Sequence, residues 1–263
     1  MTVRVICDSS INVPDAYLDS LRIVECPALV IFGDEVYLNK VEIVDAEFYR
    51  RLAHLPKNAR LPTTAQPTPR QFTQAIEQVK AEGASSIVIT TVSAKLSGTH
   101  NSAVQAAELE QDLPVFVWDT ASASLGGGWQ TIVAAEMALA GASFEVVVAA
   151  LPDIQRRIVT VFTVNTLKHL VAGGRLSPVQ GMMGTLLNVK PMLIIDDGLL
   201  KPIGRERARR SAKAALIDLV RNRVGDSPVR IAIVNANVPE EAHAFEPDVR
   251  ASLNVQELIV VEL

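Results

Sequence analysis

The chain has 263 residues and a formal net charge of −4; 49% of its residues are hydrophobic, 21% are charged and 5% are aromatic. This aliphatic-rich, mildly acidic composition is that of a globular chain with one large core or two modest ones. It excludes a disordered protein and argues against a dedicated nucleic-acid binder, which carries a basic face. No apolar run approaches the ~18 residues of a transmembrane segment.

Two cysteines, Cys7 and Cys26, are too few for a disulfide scaffold. Cys7 lies in an apolar strand-like run and reads as a buried, inert thiol. The first eight residues lack the apolar core of a signal peptide, and lipid-anchor motifs are missing. The expected location is cytoplasmic.

Residues 3–7 form a short apolar run without alternation, the pattern of a strand covered on both faces, and the run ends in Asp8-Ser9-Ser10. A second strand is expected over 24–32, interrupted by Pro27. A helix over 45–55, with Asp45 as its cap, follows. The proline-bearing stretch 61–69 reads as an ordered loop. A helix over 69–82 stops at Gly83. The run 86–92 is a strong strand, leading through Ser93, Ser97 and Thr99 to a helix over 101–110. A strand at 115–118 runs into Thr120, Ser122, Ser124 and the glycines 126–128, and a helix covers 130–140. This strand–loop–helix rhythm is that of a parallel, Rossmann-like sheet.

After a helix over 144–156 the rhythm changes. A strand at 158–164 precedes a glycine-bearing stretch over 167–184. Residues 191–196 and 199–203 read as a hairpin around Asp197-Gly198. A helix over 205–223 carries Arg205, Arg207, Arg209 and Arg210, and strands follow at 229–235 and 255–262. This half reads as α+β. The expected fold is therefore α/β with two domains: a Rossmann-like domain over 1–156 and an α+β domain over 157–263.

Small hydroxyl residues follow three strands of the first half: Ser9 and Ser10; Ser93, Ser97 and Thr99; Thr120, Ser122 and Ser124. Thr63 and Thr64 add a fourth loop. Ligands of open α/β sheets bind outside the carboxyl ends of the strands, where helix N-termini favour carboxylate or phosphate. The same residues are also the preferred helix caps, and both readings stand. There is no P-loop and no nucleophile elbow. His54, His100, His169 and His243 lack metal-ligand spacing, so no metal site is expected. Gly173-Gly174-Arg175 places a permanent cation beside two residues that permit close backbone approach.

Taken in order, several segments resemble the DegV family of bacterial fatty-acid-binding proteins. They are Asp8-Ser9-Ser10, Pro62-Thr63-Thr64-Ala65-Gln66-Pro67, Leu96-Ser97-Gly98-Thr99 with Ser102-Ala103, and Asp119-Thr120-Ala121-Ser122. Gly173-Gly174-Arg175-Leu176-Ser177 and Gly184-Thr185-Leu186-Leu187-Asn188-Val189-Lys190-Pro191 complete the set. The resemblance implies a two-domain fold with a long-chain fatty acid in an apolar tunnel, as ligand rather than cofactor. It implies that Thr64 and Ser97 hold the carboxylate, with Asp8, Ser9, Thr63, Gly98, Thr99, Arg175 and Arg207 near the head group. It further implies a non-catalytic role, in which the chain presents its lipid to an ATP-binding fatty acid kinase subunit.

Two departures accompany the resemblance. Ala65 stands where the family usually has serine, which removes one hydrogen-bond donor. The family's terminal segment rich in histidine and glycine is missing after the last strand, a loss expected to bear on phosphoryl transfer rather than on lipid binding. Two alternatives remain. One is an enzyme acting on a small carboxylated or phosphorylated substrate at the same crevice; the other is a lipid sensor without kinase coupling.

Overall fold

The computed structural model describes residues 2–56, 59–176 and 189–263. Ser177 and residues 184–188 of the motifs above lie outside the described residues. The chain divides into two compact units. Unit 1 comprises Met1–Ile158 together with Asp197–Leu199, and unit 2 comprises Val159–Asp196 together with Leu200–Leu263.

Unit 1 contains β1 (Val3–Asp8), α1 (Asp15–Ser20), β2 (Val24–Cys26), β3 (Leu29–Phe32), β4 (Glu35–Leu38), α2 (Asp45–Ala53), β5 (Thr63–Ala65), α3 (Pro69–Ala81), β6 (Ser86–Thr91), α4 (Thr99–Leu109), β7 (Val115–Asp119), α5 (Leu125–Leu139) and α6 (Phe144–Arg157). Its main sheet has the order β2-β1-β6-β7, and every pairing in it is parallel. All six residues of β1 and of β6 are buried, as expected for strands covered on both faces. Ile6, Ile87 and Ile89 pack with Phe72, Ile76 and Val79 of α3 and Ala103 and Ala106 of α4. On the alternate positions, Thr90 reaches Thr131 of α5 through a 2.7 Å hydroxyl bond. Parallel pairing puts the C-terminal ends of β1, β6 and β7 on one edge of the sheet.

Several local expectations are corrected. The strand expected over 24–32 is two strands in different sheets. β2 joins the parallel sheet, whereas β3 pairs antiparallel with β4 and β5. Pro27 separates them, because it has no N–H to continue a ladder. Its carbonyl accepts a 2.9 Å bond from Gln71 Nε2. Within 61–69, residues 63–65 form the edge strand β5. Asp45 is the first residue of α2, not its cap; Val44 occupies the cap position and makes no side-chain bond there. The glycines 126–128 lie inside α5. Their absence of side chains lets the helix start against the turn at Ile11: a Cβ at Gly127 would sit 2.5 Å from Ile11 Cγ2, and one at Gly128 2.7 Å from the Ile11 carbonyl oxygen.

Unit 2 contains β8 (Thr160–Thr163), α7 (Lys168–Ala172), β9 (Lys190–Asp196), β10 (Leu199–Glu206, its first residue counted with unit 1), α8 (Arg209–Val224), β11 (Val229–Asn235), α9 (Pro239–His243), α10 (Glu246–Ser252) and β12 (Val255–Glu262). One sheet has the order β10-β9-β8, and β8 and β9 are antiparallel. The expected hairpin is present, with Asp197 and Gly198 both at positive φ, as a two-residue turn between strands requires. The helix expected from residue 205 begins at Arg209. Arg205 lies in β10, and Arg207 follows it; pairing with β9 overrides the helical propensity of the Arg/Glu run. β11 and β12 are parallel rather than hairpin-linked. They therefore need a crossover, which α9 and α10 occupy. Ile217, Ile233, Ala242, Val249 and Leu253 form the core beneath them.

Candidate functional site

The strand ends hold two kinds of polar residue. Asp8 is fully buried. Its carboxylate accepts the Ser10 N–H at 2.8 Å and the Val92 N–H at 2.7 Å. It therefore ties the end of β1 to the end of β6. Burial pushes its carboxyl above the ordinary range, and the N–H groups of Val92 and Ser10 pull it back. Ser9 is buried too, with its Oγ accepting from Ala28 N–H at 3.0 Å and from Asn39 Nδ2 at 3.1 Å. Thr120 Oγ1 donates to the Thr91 carbonyl at 2.8 Å. These hydroxyl and carboxylate groups are committed within the fold.

The loop between β6 and α4 is different. Ser97 Oγ and Thr99 Oγ1 lie 2.9 Å apart, and Ser97 Oγ also accepts the Thr99 N–H at 3.3 Å. Each hydroxyl carries one hydrogen, so one bridges the pair and the second is available to an acceptor. Gly98 occupies the N-cap of α4, with no side-chain cap bond. The first turn of an uncapped helix directs N–H groups and the positive end of its dipole outward.

Thr63 and Thr64 lie exposed on β5, opposite Ile31 and Val30 of β3. Neighbouring strand residues point to opposite faces, so only one of the two threonines can face a given ligand. Two residues further on, Gln66 lays its side-chain amide on Gly98. A Cβ at Gly98 would sit 2.6 Å from Gln66 Nε2 and 2.7 Å from its Oε1. The same amide makes a 3.5 Å contact with Ser102 Oγ on the first turns of α4. Gln66 thus docks the threonine loop onto the turn that carries Ser97. Gly98 has a negative φ, so backbone conformation does not call for glycine here; a side chain at this position would displace the Gln66 amide.

Within unit 1 the grouping comprises Thr63, Thr64, Gln66, Ser97, Gly98 and Thr99. Arg175 and Arg207 belong to unit 2 and are exposed. Arg175 follows α7 and donates from Nη1 to the Gly173 carbonyl at 2.5 Å. Cys7 and Cys26 are free thiols, both buried; desolvation pushes both far up, so neither is a nucleophile. Among the described residues no group of three His, Cys, Asp or Glu side chains is placed to hold a metal ion.

A family model described as "Uncharacterised protein, DegV family" matches residues 2–263. The chain belongs to the DegV family. Relatives of this DegV protein cover nearly all of it. A fatty acid-binding protein of Thermotoga maritima is 32% identical over 94% of this chain and 85% of its own length. The structure of a DegV family protein from Thermus thermophilus, described for fatty acid binding, is 30% identical. It covers all of this chain and 93% of its own, with a TM-score of 0.87. The structure of DegV from Bacillus subtilis, described as a fatty acid binding protein, is 28% identical with a TM-score of 0.89. It too covers all of this chain, and 92% of its own. The α/β fold with its parallel sheet is that of these DegV structures. Among the described residues no helix is long and apolar enough to cross a membrane.

Gln66 was not singled out among the site residues by the sequence. Its only signal was its place in the Thr-Thr-Ala-Gln-Pro segment, because its partner Gly98 is 32 positions away and no local spacing links them.

Proposed function

We propose that this DegV protein binds a long-chain fatty acid in an apolar tunnel and holds its carboxylate between Thr64 and Ser97, at the N-terminus of α4. Gly98 and Thr99 border the head group, and Thr63 faces the other side of β5 from Thr64. The observation that carries this reading is the seat of Gln66 on Gly98, which joins the threonine loop to the Ser97 turn. Support also comes from relatives described as fatty-acid-binding that align with nearly the whole chain. The uncapped start of α4 is a favourable place for a carboxylate.

Energetics favour a lipid over a small polar ligand. Each buried methylene contributes about 0.8 kcal/mol, so a chain of about fifteen grosses roughly 12 kcal/mol. A hydrogen bond to a charged carboxylate adds about 1.5–3 kcal/mol. The tail supplies most of the affinity, while Thr64 and Ser97 orient the acid. Asp8 weighs against a small-molecule enzyme at this edge: both of its oxygens already accept backbone N–H groups, which leaves it poorly placed as an acid or base.

In this reading the protein is a non-catalytic, cytoplasmic carrier that presents the acid to a separate ATP-dependent kinase subunit. Two unpaired cysteines suit a reducing compartment. Denaturing extraction of the purified protein, followed by mass spectrometry, should release an acyl chain. Absence of lipid together with no uptake of added palmitate or oleate would sink the binding role. Incubation of the loaded protein with a fatty acid kinase subunit and ATP should form acyl-phosphate. Bound lipid without acyl-phosphate would leave a lipid sensor instead.

A further inference from the structure

We propose that the Asp197-Gly198 turn is a positioning element for the loop that carries Ser97; this rests on the reading that Ser97 holds the carboxylate. The two stretches are far apart in the chain but meet within unit 1, to which Asp197–Leu199 belong. Ser93, fully buried, donates its hydroxyl to the Gly198 carbonyl at 2.8 Å. The same Oγ accepts the Lys95 N–H at 3.2 Å. Lys95 Nζ reaches back to the Asp197 carbonyl at 2.9 Å and to its carboxylate at 2.6 Å.

Ser93 is the anchor of the loop. Its carbonyl accepts the N–H groups of Leu96 at 3.0 Å and Ser97 at 3.1 Å, and its own N–H donates to the Ser122 carbonyl at 2.8 Å. A displacement of Ser93 therefore moves Ser97 through a single hydrogen bond. Gly198 has φ +74, and a Cβ there would sit 2.5 Å from Ser93 Oγ and 3.5 Å from Ala121 Cα. The glycine is needed twice, once for the left-handed turn and once for the approach to Ser93. A turn that only reversed a hairpin would need just the first.

The test compares Gly198→Ala, Ser93→Ala and the double variant by palmitate affinity and by amide exchange at Leu96 and Ser97. Each single change should weaken palmitate binding about tenfold and speed exchange of both amides, while the amides of β1 keep their protection. Acting through one contact, the double variant should lose about tenfold as well rather than about a hundredfold. Unchanged affinity in the single variants, or a fully additive loss in the double, overturns the proposal. If Gly198→Ala does not fold, Ser93→Ala decides alone, since it leaves the turn backbone untouched. Failure of the wild-type protein to take up palmitate would count against the lipid reading; the exchange rates at Leu96 and Ser97 would still decide whether the turn holds the loop, and unchanged rates would overturn the proposal.

Discussion

The edge of the parallel sheet and the β5–α4 junction use the same residue types for different ends. At the edge, Asp8, Ser9 and Thr120 are buried, and their oxygens are engaged by N–H, amide or carbonyl groups of the protein. At the junction, Thr63 and Thr64 are exposed, and the Ser97–Thr99 pair retains a hydroxyl hydrogen beyond the one it shares. A polar residue after a strand is thus either a fastener or a ligand contact. What separates the two is how far its hydrogen-bonding capacity is used up inside the fold.

The largest effect expected from this contrast is on stability. Asp8→Ala strands the N–H groups of Val92 and Ser10 and should cost about 3 kcal/mol, read from the urea midpoint. A loss below about 0.5 kcal/mol, the range of an ordinary surface change, would erase the distinction. The converse should hold at the junction. Thr64→Val with Ser97→Ala should weaken palmitate binding by about 2 kcal/mol, roughly thirtyfold, with little change in the urea midpoint. Unchanged affinity and unchanged orientation of the acid would count against the assignment.

A smaller effect concerns pH. Burial raises the Asp8 carboxyl above its ordinary value near 3.8, so the folded state binds that proton more tightly than the unfolded chain. The resulting stability is fully present below that ordinary value and is lost as pH rises through the folded one. The stability advantage of wild type over Asp8→Asn should therefore shrink as pH is raised from the acid side, measured by urea midpoints. Glu82 provides the opposite sign. The hydrogen bond from Arg4 holds its carboxyl below the ordinary value near 4.5, so its contribution is present above that value and lost as pH falls through the lowered one. Glu82→Gln should blunt that acid-side loss.

The smallest change is expected from Lys95→Met. The Lys95–Asp197 ion pair is exposed and should contribute below about 1 kcal/mol, falling with salt. A larger loss would mean that the pair carries more of the turn's hold on the loop than the buried Ser93–Gly198 bond.

Much of the fold was legible along the chain. The apolar runs of β1 and β6, the helix α3 with its stop at Gly83, and the turn at Asp197-Gly198 all announce themselves locally, because period, helix-stop and turn chemistry act over a few residues. The break at Pro27 was visible, but the partners of the two strands beside it were not, since pairing depends on distant segments. Arg205 reads as helix for the same reason: pairing with β9 outweighs a propensity of tenths of a kcal/mol per residue, and Arg207 lies between β10 and α8. Among the candidate site residues, Ser97 was legible as a hydroxyl after a strand, Thr64 as a hydroxyl of a proline-bearing loop, and both as parts of family motifs. The burial of Asp8 and Ser9 was not, because saturation of a polar group depends on N–H groups such as those of Val92 and Ala28, supplied from elsewhere in the chain.

By itself, then, the sequence determined the class of sheet, the ends of its strands and the hydroxyls clustered there, because these follow from side-chain chemistry repeated at short range. Tertiary structure alone decided which of those groups became fasteners and which stayed available. It seated Gln66 on Gly98 and brought Ser93 to Gly198, 105 positions away. A hydrogen-bonding group has a small, fixed capacity, and only the folded chain determines which neighbours draw on it.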